Sequence, residues 1–249
     1  MRAGASSPRS FAGLLASLAA ATVAASLAGL LLGIRWLTPI LDALPAWIFM
    51  ATALRRGSRA RAIGLMLWWA FWLATTAVVF TILAPGQAER GIFNGAAYRD
   101  EMLAWISSGA GRESTPTLFI PQHLTHAATF CIVTLATGGA LSLVMGAVMM
   151  NYMSFYVGAL IGQCAGSPAH STAMLLAWNP WSMMRVVSFV ILGVVLAEPL
   201  LSSRLGGEWP DPLGRRRWIV IAIAGLVLDL LLKGALAPLW PSLLRGCLH

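Results

Sequence analysis

Apolar residues run along this chain in long blocks, separated by short polar stretches that carry most of the charge. A membrane-crossing helix needs about 20 consecutive apolar residues. Six blocks meet that length clearly or nearly so, and a seventh approaches it: roughly 12–34, 36–54, 62–84, 124–149, 152–169, 183–202 and 218–240. The block at 36–54 is the weakest, because it holds Pro39, Asp42 and Pro45, and a re-entrant hairpin is the alternative to a crossing there. The pattern predicts an all-α, polytopic transmembrane bundle of six or seven spans, one integral membrane domain over 1–249.

The longest polar stretch, about 85–123, has a different pattern. Asn94 is placed to cap a helix, and Tyr98, Met102, Trp105 and Ile106 follow at helical spacing, with Arg99, Asp100 and Glu101 on the other side. This predicts an external amphipathic helix lying on the membrane surface or on the bundle, with partner docking as the sharper alternative. Asn179–Pro180–Trp181 interrupts a later block. Proline lacks the backbone donor and disfavours helix at the residue before it, so 171–178 reads as a short separate helix or interfacial stretch.

Arginines fix the expected orientation. Arg55, Arg56, Arg59 and Arg61 share one short loop, about 55–61, and Arg204 and Arg215 to Arg217 another, about 203–217. Both are expected in the cytosol, as is the N-terminus with Arg2 and Arg9. Seven spans satisfy all three placements, which favours a crossing at 36–54. The loop at 85–123 then faces outward, its arginines balanced by Glu89, Asp100, Glu101 and Glu113. The first block resembles a signal peptide, but its apolar stretch is too long and lacks a polar cleavage region, so a retained anchor is expected.

Composition agrees: 58% of residues are hydrophobic and 10% charged, against about 25% charged in soluble domains. The net charge of +8 does not point to nucleic acid, because the arginines sit in clusters between apolar blocks. Cys131, Cys164 and Cys247 form no pair that predicts a disulfide framework or a zinc site. Trp36, Trp105, Trp178, Trp181, Trp209, Trp218 and Trp240 fall near predicted interfaces. Trp68, Trp69 and Trp72 lie deeper, where packing against lipid is weighed against stacking on a pigment or quinone.

Small residues dominate 134–166. Gly138, Ser142 and Gly146 recur every four residues, as do Gly158, Gly162 and Gly166. Such ladders let helix backbones approach closely in lipid, so the two sets are expected to close on each other as an antiparallel hairpin linked around Met150–Asn151–Tyr152. Ala25, Gly29 and Gly33 form a similar ladder in the first span, suited to a neighbouring helix or a second copy. An outward loop containing a helix, then a Gly-rich span, then Asn-Tyr-Met-Ser-Phe-Tyr-Val-Gly-Ala-Leu, resembles the stage II sporulation protein M family of bacterial membrane proteins over roughly 62–202. Tyr152 follows Asn151 where that family usually has Gly, and Pro168–Ala169–His170 stands where it has a His-Gly segment. The resemblance implies a scaffold or transport-related protein of a bacterial cytoplasmic (inner) membrane, with no established chemistry.

Ionisable groups at membrane depth are functional candidates. Asp229 and Lys233, four apart, are placed to pair on one helix face. Glu198 precedes Pro199, Arg185 lies at the other end of that block, and Asp42 sits between prolines where its carboxylate is expected to satisfy freed backbone groups. Asp42, Glu198, Asp229 and Lys233 are expected to face the bundle interior. His123 and His126 follow Pro121 at a spacing suited to a metal or haem, with Glu113 or His170 as further ligand, against the plainer reading of interfacial hydrogen bonding. No cofactor is predicted outright. No nucleophile elbow, phosphate loop or zinc-protease motif is present. The favoured function is a non-catalytic membrane subunit, scaffold or permease-like, bound to other subunits or to itself within the bilayer. Ion- or proton-coupled transport and a redox subunit are the alternatives.

Overall fold

The computed structural model describes residues 8–168, 170–205 and 211–247. Arg2, Ala169 and Trp209, and the side chains of Arg9 and Cys247, lie outside the described residues. Eleven α-helices follow one another among them: α1 (Pro8–Leu32), α2 (Leu37–Arg55), α3 (Arg59–Leu83), α4 (Pro85–Gly91), α5 (Gly95–Ser108), α6 (Pro116–Thr137), α7 (Ala140–Gln163), α8 (His170–Leu176), α9 (Pro180–Leu205), α10 (Pro212–Leu236) and α11 (Trp240–Leu244). Seven segments are long and apolar enough to cross a membrane: α1 from Phe11, α2, α3, α6, α7, α8 with α9, and α10. The bundle is therefore all-α and polytopic, and the block at 36–54 is one helix with Pro45 inside it.

Successive long helices run up and down, so their turns gather at two ends. The arginine-rich end holds the α2–α3 turn, the α6–α7 turn and the α9–α10 connection. The other end is closed by a cap of short helices, α4, α5, α8 and α11. Helix α5 is the predicted amphipathic helix, and it packs on the bundle: Met102, Trp105 and Ile106 are buried with Tyr156 and Leu160 of α7 and Trp240 of α11. Asn94 stands at its N-terminus in the left-handed conformation and makes no side-chain cap. Trp105, Trp181 and Trp240 are buried in this cap, where the sequence suggested wet interfacial edges; Trp240 Nε1 donates to the Leu176 carbonyl at 3.0 Å. A second core joins α2, α3 and α9 through Met50, Leu65, Trp69, Leu73 and Val195.

The hairpin lies elsewhere than its small-residue ladders suggest. Gly138 (φ +59) and Gly139 (φ +87) make the α6–α7 turn with two successive left-handed residues, a backbone that side chains with a Cβ rarely adopt. Asn151 and Tyr152 are therefore inside α7, not in a link between two spans. Ser142, Gly146, Gly158 and Gly162 all belong to α7, Gly138 is the turn itself, and Gly166 (φ +83) lies past the helix end. The two ladders thus cannot close on each other. Gly158 packs on α3, where a Cβ would stand 2.8 Å from the Val78 carbonyl oxygen and Thr81 Cβ; Gly146 and Gly162 have no such neighbour. In α1, Gly29 seats against Thr38 of α2, and Gly33 (φ +68) ends the helix.

These contacts separate two glycines that the sequence treats alike. Gly158→Ala is expected to lower stability by about 1–3 kcal/mol through overpacking. Gly162→Ala is expected to hold or slightly raise it, since alanine favours helix and the site is open. Thermal unfolding in detergent reads both; equal losses would contradict the packing of α7 on α3.

Candidate functional site

The polar side chains at membrane depth form three groups inside the bundle. The first centres on Asp42, fully buried on α2. Ser26 Oγ of α1 donates to its Oδ1 at 2.5 Å, and Asn151 Nδ2 of α7 donates to its Oδ2 at 2.7 Å. Trp69 Nε1 of α3 donates to the Asp42 backbone carbonyl at 3.0 Å. One residue thus draws four helices together. Its carboxyl does not satisfy backbone freed by the flanking prolines, as the sequence suggested, because α2 stays helical and the neighbouring spans supply the donors. Trp69 is buried by this bond and does not pack against lipid, while Trp68 Nε1 donates to the Leu15 carbonyl at 3.0 Å.

The second group lies beneath the cap. Arg185 of α9 grips Asp229 of α10 with two parallel hydrogen bonds, Nε to Oδ2 and Nη2 to Oδ1, each 2.9 Å. Lys233 Nζ reaches Glu113 Oε2 at 2.8 Å and lies 4.8 Å from the centre of the Phe119 ring. The expected Asp229–Lys233 pair is therefore not made, although both residues are buried. A planar guanidinium matches a carboxylate bidentately, which an ammonium cannot. The lysine instead extends toward the segment before α6. Two cations and two anions leave the group neutral. Above it, Tyr98 of α5 packs edge-on to Tyr156, ring centres 6.1 Å apart. Burial, with the Glu113 charge adding to it, pushes the Tyr98 hydroxyl well above its ordinary pKa.

A third pair stands toward the arginine-rich end. Arg59 of α3 donates to Glu198 of α9, Nε to Oε2 at 3.0 Å and Nη2 to Oε2 at 2.8 Å, and Glu198 is buried there rather than reaching an interface. Arg59 also donates to the Asp211 carbonyl at 3.3 Å, and the Asp211 side chain caps α10 by accepting from the Leu213 and Gly214 amides. Sequence reasoning singled out Glu198 but not Arg59, Ser26 or Asn151 as its counterparts and those of Asp42. A single amide within a long apolar run was the available signal for Asn151.

His123 and His126 sit on the inner side of α6, next to Arg185 and Asp229. Since a carbonyl only accepts, the 2.7 Å contact of His123 Nδ1 with the Phe119 carbonyl puts the proton on Nδ1. Nε2 then faces Asp229 Oδ2 at 4.0 Å. Glu113, one suggested third ligand, is taken by Lys233. Among the described residues, no group of three or more His, Cys, Asp or Glu side chains is placed to hold a metal ion. His123 is thus held by one hydrogen bond within α6, while its Nε2 and His170 Nδ1 are buried without a hydrogen-bond partner among the described residues.

A mostly apolar crevice runs between α7 and α9 over a floor of Met50, Met66 and Trp69, with about 720 Å³ of empty volume when the open space at its mouth is included. Comparison with known proteins gives no match: no family model, no curated protein and no solved structure matches this chain.

Two substitutions test the polar groups. Asn151→Leu takes a donor from a fully buried carboxyl and is expected to cost about 1–3 kcal/mol. Glu198→Gln strands the Arg59 guanidinium and is expected to cost about 3–5 kcal/mol. Asp100→Ala, which breaks an exposed pair with Arg99, is expected to change stability by less than about 1 kcal/mol. Unfolding midpoints in detergent rank the three; a null effect for Glu198→Gln would contradict the pairing.

Proposed function

We propose that this protein is a non-catalytic subunit of a membrane complex, a scaffold that binds another membrane helix along α1. The outward face of α1 carries the proposal. Ala12, Ala16, Ala20, Ala24 and Ala28 recur every four residues on it, flanked by Gly13 and Ser17, and all are exposed. Between residues 12 and 28 no large hydrophobic side chain of α1 is exposed. Helix α10 is the contrast: it exposes Val220, Ile221, Ile223, Val227 and Leu231, the ordinary dress of a lipid-facing helix. Small residues at such spacing let a second backbone come close enough for dispersion contacts and weak Cα hydrogen bonds to favour helix over lipid. The ladder read from sequence, with Gly29, is used internally against α2, so the outer one is a separate surface.

The interior supports the same reading. Arg59, Arg185 and Lys233 each hold a carboxylate of another segment. Charges committed in this way fasten helices and offer no open polar path. The resemblance to the stage II sporulation protein M family implies a component of this kind in a bacterial inner membrane. Ion- or proton-coupled transport is the second reading. It rests on Asp42, whose hydrogen-bond partners Ser26 and Asn151 are neutral.

Purification from gently solubilised membranes tests the scaffold reading. The wild type is expected to carry a second copy or a partner. The double variant Ala20→Leu, Ala24→Leu is expected to lose it at an unchanged unfolding temperature, since both side chains are exposed. A lone wild-type monomer with turnover of its own would overturn the proposal, as would an assembly indifferent to the two leucines. Orientation has its own check. A reporter at residue 58 is expected in the cytosol and one at residue 110 outside, and the reverse would overturn it.

A further inference from the structure

We propose that the crevice between α7 and α9 holds one acyl chain of an anionic phospholipid drawn from the leaflet at the arginine-rich end. The crevice exists because two walls fail to meet. Helices α7 and α9 face each other without packing closely along their length, while α2 and α3 close the floor and Phe130 of α6 covers part of the opening. Its lining is thioether, aromatic and aliphatic, with Met50, Met66, Met149, Met150 and Met153 prominent. Methionine is flexible and polarizable, so it fits an occupant whose shape is not fixed.

Three occupants compete: nothing, water and hydrocarbon. An empty crevice forfeits dispersion contacts along its lining. Water needs about two to four polar partners, and of the three polar side chains at this lining, Ser142, Ser182 and Arg185, two are engaged elsewhere. Ser142 donates to the Gly139 carbonyl, and Arg185 is bound to Asp229. Hydrocarbon is the surrounding solvent of these spans and meets no such obstacle. Gly146 lines the space, and a Cβ built there meets nothing within 4 Å. The gap is therefore real room and not a seam between touching helices.

Length and charge choose the kind of hydrocarbon. The lining of α7 extends from Gly139 to Met153, which at about 1.5 Å per residue is on the order of 20 Å. One leaflet of hydrocarbon is about 15 Å deep, so a single extended chain fits within it. The Arg185–Asp229 pair closes the far end. The near end, at Gly139 and Val194, points toward the end of the bundle where Arg55, Arg56, Arg204 and Arg215 to Arg217 gather. Gly139 itself packs closely on Met50 and Ala197, so a chain enters from the side between α7 and α9, and a lipid seated near that end would place its phosphate in that positive field, which favours a net negative headgroup over a zwitterion.

The test uses the purified chain in phosphatidylcholine nanodiscs with a phosphatidylglycerol probe bearing a photoactivatable acyl chain. Adducts mapped by mass spectrometry are expected within 139–153 and 186–194. Gly146→Phe, which fills the space, is expected to abolish them while adducts on the outer face of α10 persist. Gly146→Ala is expected to retain them. In the wild type, unlabelled phosphatidylglycerol is expected to compete and phosphatidylcholine not, which keeps the test decisive if the phenylalanine variant does not fold. Crevice adducts that survive in a folded Gly146→Phe protein would overturn the proposal. So would equal labelling by a phosphatidylcholine probe, or labelling confined to outer helix faces.

Discussion

A charge inside hydrocarbon has no water to turn to, and each one in this bundle is answered from another part of the chain. Arg59 and Glu198 tie α3 to α9. Arg185 and Asp229 tie α9 to α10. Lys233 and Glu113 tie α10 to the turn that leads into α6. Asp42, with Ser26 and Asn151, ties α2 to α1 and α7. Apolar contact alone chooses neighbours poorly in a membrane, because lipid tails are as apolar as leucine. These polar contacts are directional, so they do much of the choosing. Breaking one strands a partner where solvation is worst, which makes the helix order costly to change.

The features set by local pattern were legible in the sequence. The number of long apolar segments, seven, was legible although the block at 124–149 straddles the α6–α7 turn, Met102, Trp105 and Ile106 marked the buried face of α5, and Asn179–Pro180 separated α8 from α9. Features set by partners were not. Burial of Asp42, Glu198, Asp229 and Lys233 could be expected from their cost in lipid, but which group meets which depends on helix rotation and order. Asp229 and Lys233, though one turn apart, found separate partners for that reason. The α6–α7 turn was misplaced because 134–166 is apolar throughout and gives hydropathy no edge to detect. Conformation decided it, through two glycines that accept positive φ side by side. The glycine ladders misled in the same way, since spacing identifies a smooth face without naming what covers it.

The two ends of the molecule are built for different surroundings. At the capped end, α5, α8 and α11 lay an aromatic layer over the bundle, with Trp181 and Trp240 edge to face at 5.2 Å between ring centres. That layer buries the Arg185–Asp229 and Lys233–Glu113 pairs, and so keeps them in a medium where their attraction is strong. The arginine-rich end has no comparable cover among the described residues. Arg59 there turns inward to Glu198. The bundle thus combines a closed charged interior with a smooth outer helix on α1 and an apolar crevice between α7 and α9.

The central claim is that opposite charges paired inside the membrane decide which helices are neighbours. Exchanging one pair tests it most directly: Arg185→Asp and Asp229→Arg, made singly and together, with the yield of monodisperse folded protein from membranes as the readout. The account predicts that either single reversal, which sets two like charges face to face, removes folded protein, and that the double exchange restores most of it. Singles that fold as well as the wild type, or a double that fares no better than the singles, would contradict it.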